Sequence, residues 1–291
     1  MKRLLLLGGN EYFVSALKSA DIKYDQIMLQ SVFFKIENGG HKAYTTDGEI
    51  DFSKYGYTVI LSYYDGQFQR FLEANNIHAL YNKMDAIDLS VNKYQTYAAF
   101  EKNGNIRIPK TLCFTKDQLL TQKYETVVQN EFGNGPYLIK MNNGTWGNGI
   151  FLCNDYSTIQ KKARVINCKK ILVQEYISPN KRVDERHIVF NGDILLSGYR
   201  VAGEGNFLTN IHSGGHYVPF STEVDAETKK MCVAAAEAVG LVYAGVDVIR
   251  DEDGRPYVLE INSHPHSQII KYLGFNFYCI IAEYIKKELC K

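Results

Sequence analysis

Two acidic residues set in apolar surroundings are where this 291-residue sequence first shows chemistry. Val246-Asp247-Val248 and Leu259-Glu260-Ile261-Asn262 both read as strand segments, and side chains two apart on a strand share a face. Glu260 and Asn262 therefore point the same way. If the two strands pair as a hairpin across Asp251-Glu252-Asp253-Gly254-Arg255, Asp247 sits opposite them. Three oxygen donors on one face, with positions left for phosphate and water, suit Mg²⁺. The alternative is a solvated face with incidental acids, but the apolar neighbours make buried acids costly without a cation.

A second candidate begins at Lys140, which ends an apolar run and precedes Met141-Asn142-Asn143-Gly144-Thr145-Trp146-Gly147-Asn148-Gly149. Backbone N–H groups of such a loop, loosened by Gly144, Gly147 and Gly149, can wrap phosphate oxygens, and the lysine adds a point charge. No Gly-Lys-Ser/Thr opens a helix here, so the pattern is not a P-loop. A plain mobile hairpin is the competing reading. A third segment, Leu172 to Ile177, reads as a strand. Its end, Gln174, Glu175, Tyr176 and Ile177, can offer backbone groups to an adenine, and Asp184 could bind ribose hydroxyls. Such sequence is common, and an ordinary strand explains it equally well.

These residues need elements to hold them. Leu4–Leu7, Gln26–Leu29, Thr58–Leu61 and His78–Leu80 read as strands, and Glu11–Ser19 and Gln67–Asn75 as helices between some of them. That alternation predicts a parallel sheet with covered faces. The charged stretch from Glu37 to Lys54 reads as a surface excursion. Further on, Asp88 to Lys102 fits one amphipathic helix ending at Gly104. Pro136–Met141, Ile150–Cys153 and Lys170–Tyr176 read as strands of an α+β unit, with a helix over Asp155–Asn167. The last part offers strands at His187–Asn191, Ile194–Val201, Tyr243–Arg250 and Tyr257–Ile261. Ala226–Val239 is an Ala-rich helix stopped by Gly240, and Phe275–Lys287 is a closing amphipathic helix.

Bulk properties exclude several classes. A formal net charge of +1 gives no basis for a nucleic-acid or membrane surface. No apolar run approaches the roughly 20 residues that span a bilayer. Met1-Lys2-Arg3 before Leu4–Leu7 superficially resembles a signal peptide, but four leucines ending in Gly8-Gly9 read better as a buried first strand. The six cysteines show no CxxC spacing and read as reduced thiols of a cytoplasmic protein.

Taken together and in order, the segments resemble the ATP-grasp superfamily, and most closely its RimK-type carboxylate–amine ligases. The resemblance covers residues 90 to 265. It rests on Asn92-Lys93, Ile108-Pro109-Lys110-Thr111, the Lys140–Gly149 run, Val173–Ile177, Asp184-Glu185-Arg186, Thr209–Gly215, Gly245-Val246-Asp247 and Glu260–Pro265. It implies a Rossmann-like domain over 1–90, an ATP-grasp small lobe with a glycine-rich lid over 91–177, and a C-terminal lobe with the metal site over 178–291. The fold class is thus α/β and α+β.

The same resemblance implies roles. Lys93 and Lys140 would contact ATP phosphates, and Gln174 to Ile177 the adenine. Asp184 would bind the ribose, and Thr209 and Asn210 would lie beside the nucleotide. Arg186 and Arg200 would face the transferred phosphate, while Asp247, Glu260 and Asn262 would hold Mg²⁺, with Mn²⁺ as a substitute. The implied activity is ADP-forming carbon–nitrogen ligation through an acyl phosphate on a small-molecule carboxylate and amine. A peptide or protein acceptor and a homo-oligomer are compatible with it. The rivals are a D-alanine–D-alanine-type ligase, an ATP-grasp kinase acting on a hydroxyl, and a nucleotide-binding regulator without turnover. Two departures bear on the substrate. Leu208 stands where these ligases usually carry arginine, and His264-Pro265-His266 replaces their usual Ser-Pro-Gly after the metal-binding asparagine. His264 and His266 are therefore candidate substrate residues, as bases, as substrate contacts or as local hydrogen-bonding groups in a turn.

Overall fold

Leu4, Leu5, Leu6 and Leu7 are all fully buried, as a strand covered on both faces requires. In the computed structural model they lie in β1 (Arg3–Leu7), followed by α1 (Glu11–Ser19) and β2 (Tyr24–Ile27). The structure describes residues 2–38, 40–61, 66–144, 149–178, 183–203, 209, 214–220 and 223–291. Next come β3 (Phe33–Glu37), β4 (Gly40–Thr45), β5 (Gly48–Glu49), β6 (Tyr55–Val59), α2 (Gln67–Ala74) and β7 (Ala79–Leu80). A parallel sheet in the order β2-β1-β6-β7 results.

The stretch read as a surface excursion is instead a small antiparallel sheet, β3-β4-β5. Ala43 and Ile50 are buried and join Leu5, Leu7, Phe68 and Phe71 in one cluster. The charges of the segment, Lys42 and Glu49 among them, pair with each other on its outer side.

The single helix expected over Asp88–Lys102 is two helices, α3 (Met84–Val91) and α4 (Lys93–Asn103). Asn92 breaks them: it leaves helical geometry and its side chain caps α4 by accepting from Gln95 N at 3.1 Å. Lys93 thereby becomes the first residue of α4.

A second sheet, antiparallel in the order β10-β9-β11-β8, comprises β8 (Thr111–Thr115), β9 (Tyr137–Met141), β10 (Ile150–Cys153) and β11 (Lys170–Glu175). Helices α5 (Lys116–Leu119), α6 (Glu125–Phe132) and α7 (Tyr156–Val165) accompany it. One face of this sheet, with Ile139, Ile171 and Val173, packs into its own cluster with Val128, Tyr156 and Ile159.

The third sheet runs β14-β13-β12-β15-β16. Its strands are β12 (Val183–Phe190), β13 (Asp193–Val201), β14 (His216–Pro219), β15 (Tyr243–Arg250) and β16 (Pro256–Asn262). Helix α8 (Ala226–Val239) covers one face, and its small side chains Ala234, Ala235 and Ala236 lie close over Val246, Val248 and Ile261. Helices α9 (Gln268–Leu273) and α10 (Tyr278–Leu289) follow. The α10 residues Tyr278, Ile281 and Ile285 share a cluster with Leu4 and Leu6 of the first sheet, with Phe13 of α1 and with Ile188 and Phe190 of the third sheet. Among the described residues no helix is long and apolar enough to cross a membrane.

Candidate active site

Strand register builds the site. Asp247 on β15 pairs directly with Glu260 on β16, and Gly245 with Asn262. On the other side Asp247 faces Arg186 across β12, and Asp184 faces Arg200 across β13. One face of one sheet therefore carries Arg200, Asp184, Arg186, Asp247, Glu260 and Asn262. The alternate residues, Glu185, His187, Val246 and Val248, fall on the opposite face. There Arg250 Nε donates to Glu185 Oε1 at 2.6 Å, and His187 bridges Glu185 and Ser197.

Four members of the charged face are buried and tightly paired. Asp184, Arg186, Arg200 and Asp247 are all buried. Arg186 Nη2 donates to Asp247 Oδ2 at 3.0 Å, and its Nε lies 2.5 Å from Asp247 Oδ1. Arg200 Nη2 is 2.8 Å from Asp247 Oδ2. Arg200 also grips Asp184 through two parallel bonds of 2.7 and 2.6 Å, and Thr209 Oγ1 donates to Asp184 Oδ2 at 2.6 Å. Burial alone would push the Asp247 carboxyl upward, but the two guanidiniums overcome it and hold it below the usual range. Burial likewise opposes the Arg200 charge, and Asp184 and Asp247 outweigh it, so the guanidinium is held firmly charged.

Asp184 is a correction to the sequence reading. Both its oxygens are taken by Arg200 and Thr209, so it is not presented to a ribose. The strand there also begins at Val183, earlier than the expected His187, because the charges of Asp184 and Arg186 are satisfied across the sheet.

The second sheet and α4 bring one more cation each, Lys140 and Lys93. Lys140, at the end of β9, lies on the face opposite Ile139 and is buried. Burial lowers its ammonium to about 8, against the pull of Glu260 and Asp247. Lys93 Nζ donates to Gly144 O at 2.5 Å and to Glu260 Oε1 at 3.2 Å, tying the start of the glycine-rich loop to the β16 acid. Gln174 is buried; its amide nitrogen donates to Thr111 Oγ1 at 2.7 Å and its Oε1 has no partner among the described residues. Glu175 Oε1 accepts from Lys110 N at 2.7 Å, and Tyr176 and Ile177 continue beyond β11, half-buried. Gly149 has φ 73°, and a Cβ there would collide with Met141 Sδ. Gly147, Trp146, Asn210 and Leu208 lie outside the described residues.

The donors Asp247, Glu260 and Asn262 fit a hard divalent cation in kind and placement. They are two carboxylates and an amide; no group of three or more His, Cys, Asp or Glu placed to hold a metal occurs among the described residues. Asp247 Oδ1 is held in the ion pair with Arg186 Nε, and Asn262 Nδ2 is buried without a hydrogen-bond partner among the described residues. A buried amide donor left unpaired is rare in folded proteins.

Beside Glu260 and Asn262 opens a cleft of about 870 Å³, lined by Asn10 at the start of α1, Leu61 just beyond β6, Ser90 from α3, and His264, His266 and Tyr278. Burial takes His264 down to about 4, so it is neutral near pH 7. His266 is exposed at the cleft.

Three residues were missed in the sequence. Asn82 is buried and makes four bonds: it donates to Tyr243 O and Ser263 O at 2.6 and 2.7 Å and accepts from Val242 N and Tyr243 N. It thus fixes the segment between β16 and α9. Asn142 accepts from Lys93 N and Tyr94 N at 3.0 and 2.9 Å and so docks the end of β9 onto α4. Tyr97 donates to Leu259 O at 2.6 Å, at the bulge that separates Asp247 from Val248 in the hairpin register. An asparagine just after a strand was the only local signal for the first two.

Comparison with known proteins agrees with this architecture. The chain matches the RimK-like ATP-grasp domain over residues 90–285. It is 32% identical over 234 residues to a probable alpha-L-glutamate ligase of Legionella pneumophila, covering 78% of this chain and 73% of that protein. A probable alpha-L-glutamate ligase of Shewanella pealeana is 35% identical over 235 residues, 79% of this chain; the chain spans about half of that relative, 48%. Among solved structures, the ATP-grasp ligase PsnB complexed with a minimal precursor superposes with a TM-score of 0.72 at 16% identity over 99% of each chain. D-alanyl-alanine synthetase A of Vibrio cholerae gives 0.69 at 16% identity over 100% of each. At such identities the structures speak for the fold alone. The chain belongs to the RimK-like ATP-grasp family.

Proposed function

We propose that the chain is an ATP- and Mg²⁺-dependent ligase that joins a carboxylate to an amine through an acyl phosphate, on an amino acid or a peptide. The observation that carries this reading is the convergence of Arg186 and Arg200 on Asp247, one residue across from Glu260 on the same sheet face. Two guanidiniums beside a candidate metal face suit a reaction in which a phosphoryl group moves to a carboxylate.

Four cationic side chains (Lys93, Lys140, Arg186 and Arg200) and three acids (Asp184, Asp247 and Glu260) meet here, one positive charge in excess. The excess favours a polyanion. Lys93 and Lys140 bind phosphate oxygens, and Gln174 to Ile177, with Thr209 and Asn210, hold the rest of the nucleotide. Asp247, Glu260 and Asn262 hold Mg²⁺, which when bound supplies charge neutralisation for the phosphates. A substrate carboxylate oxygen attacks the γ-phosphorus, and the bond to ADP breaks. Arg186 and Arg200 stabilise the acyl phosphate so formed. An amine then attacks the acyl carbon, the C–N bond forms and phosphate leaves. The cleft beside His264 and His266 receives the substrates, and its volume lies in the upper part of the range of small-molecule sites, wide enough for a peptide end.

The names of the Legionella and Shewanella relatives make L-glutamate the first substrate to test. Phosphate release should require Mg²⁺-ATP, a carboxylate and an amine together, with Mn²⁺ replacing Mg²⁺. Release with a D-alanine pair alone would move the chain to the D-alanine–D-alanine type. Transfer of phosphate to a hydroxyl, with none released, would replace ligation by kinase chemistry.

A further inference from the structure

The metal assignment above leaves one conflict on the page. Asp247 is the most enclosed of the three proposed metal donors, yet it is already engaged by two arginines. The two are not held alike. Arg200 has a second carboxylate, Asp184, gripped in a two-point contact and fixed directly opposite it by the β12–β13 register. Asp184 is itself secured by Thr209. Among the described residues, the ion pairs and hydrogen bonds of Arg186 all go to Asp247. Its reach is also confined, since a Cβ added at Gly245 would lie 2.8 Å from Arg186 Nη1 and 2.8 Å from Pro265 Cβ.

We propose that Asp247 is a carboxylate used by turns: in the metal-free site it holds Arg186, and when a divalent cation is bound Arg186 is set free toward the substrate, while Asp184 keeps Arg200 in place throughout. Arg186 then reaches the reacting groups only after the metal site is filled. Asp184 is a positioning residue that acts through Arg200. The register explains why the two arginines differ: Arg186 faces a metal donor across its strand pair, whereas Arg200 faces an acid that is not one. The order of events follows from this. Metal-nucleotide binds first, and the carboxylate substrate meets a competent Arg186 second.

The inference rests on the metal assignment, and Mn²⁺ binding followed by electron paramagnetic resonance separates the two. Wild-type protein that binds no Mn²⁺, with or without a non-hydrolysable ATP analogue, removes the metal assignment and the inference with it. If Mn²⁺ binds, Arg186→Lys is the deciding variant, because it keeps the charge and loses the two-point hold on Asp247. Mn²⁺ affinity without nucleotide should rise about tenfold, the scale of one charge-assisted contact removed from competition. Unchanged or weaker affinity would overturn the shared use of Asp247 while leaving the metal site standing. Asp184→Asn should weaken Mn²⁺ several-fold, as Arg200 turns wholly to Asp247, and this effect should vanish in an Arg200→Met background. Additive effects in that double-mutant cycle would overturn the positioning role of Asp184.

Discussion

Replacing Lys140 by methionine should make the nucleotide-free protein more stable while removing its hold on ATP. Burial lowers the Lys140 ammonium from 10.5 to about 8 in the folded chain, even with Glu260 and Asp247 nearby. A group whose folded pKa is depressed adds its full stability only above the unfolded pKa and loses it as pH falls through the folded one. At pH 7 both states are protonated, so the folded state bears the whole penalty. Each pKa unit corresponds to about 1.36 kcal/mol, so Lys140 destabilises the fold by about 3 kcal/mol at pH 7. At pH 10 most of that penalty is gone and about 1 kcal/mol remains. Methionine fills the space of the lysine stem without a charge. Urea unfolding in EDTA at pH 7 and pH 10 measures the difference, which should favour the variant by about 3 and then about 1 kcal/mol. Calorimetry at pH 7 should show Mg²⁺-ATP binding lost. A variant less stable than wild type at pH 7, or a gain that does not shrink at pH 10, would refute the reasoning.

Glu260→Gln should abolish phosphate release and weaken Mg²⁺-ATP binding with the far-ultraviolet spectrum unchanged; normal turnover would remove Glu260 from the metal face. Asn82→Ala strands two carbonyls and two amides among buried residues and should destabilise by about 3 kcal/mol or more. Thermal unfolding reads it, and a melting temperature at the wild-type value would show that water replaces the side chain. Gly245→Ala pushes on Arg186 and Pro265 and should lower kcat tenfold or more with a smaller effect on nucleotide affinity, which steady-state kinetics and calorimetry separate. Replacing His264 and His266 by Ser and Gly should raise KM for one substrate and leave ATP affinity alone. If neither constant moves, the two histidines serve only their local turn.

The shared face of Asp247, Glu260 and Asn262 was legible because alternation and hairpin pairing are local rules: the three could be placed together from two short strands. Family membership was legible from the order of weak segments. The pairing of Arg200 with Asp184 and of Arg186 with Asp247 was not, because it depends on the register of β12 against strands before and after it. An Asp-Glu-Arg run looks like loop until its cross-strand partners are known. The break at Asn92 was hidden for a related reason. A helical pattern runs through it, and only the capping bond to Gln95 and the docking of Asn142 onto α4 turn one helix into two. The 37–54 segment was misread because its charges outnumber its few inward residues, and Ala43 and Ile50 are enough to seat it on the first sheet.

The cluster that joins α1 to α10 has a consequence for how the protein comes to exist. Asn10 donates to the Tyr278 hydroxyl at 3.2 Å across 268 residues of sequence, and Phe13 packs on the same ring at 5.0 Å. The face of the first sheet that carries Leu4 and Leu6 is thus covered only in part, by α1, until α10 has emerged. The β8–β11 sheet closes within about 65 residues and can be complete long before then. The half-made chain should therefore carry a finished middle and an unfinished beginning. Chaperone dependence and aggregation during synthesis should follow Leu4, Leu6 and Phe13, the residues that wait longest for their partners.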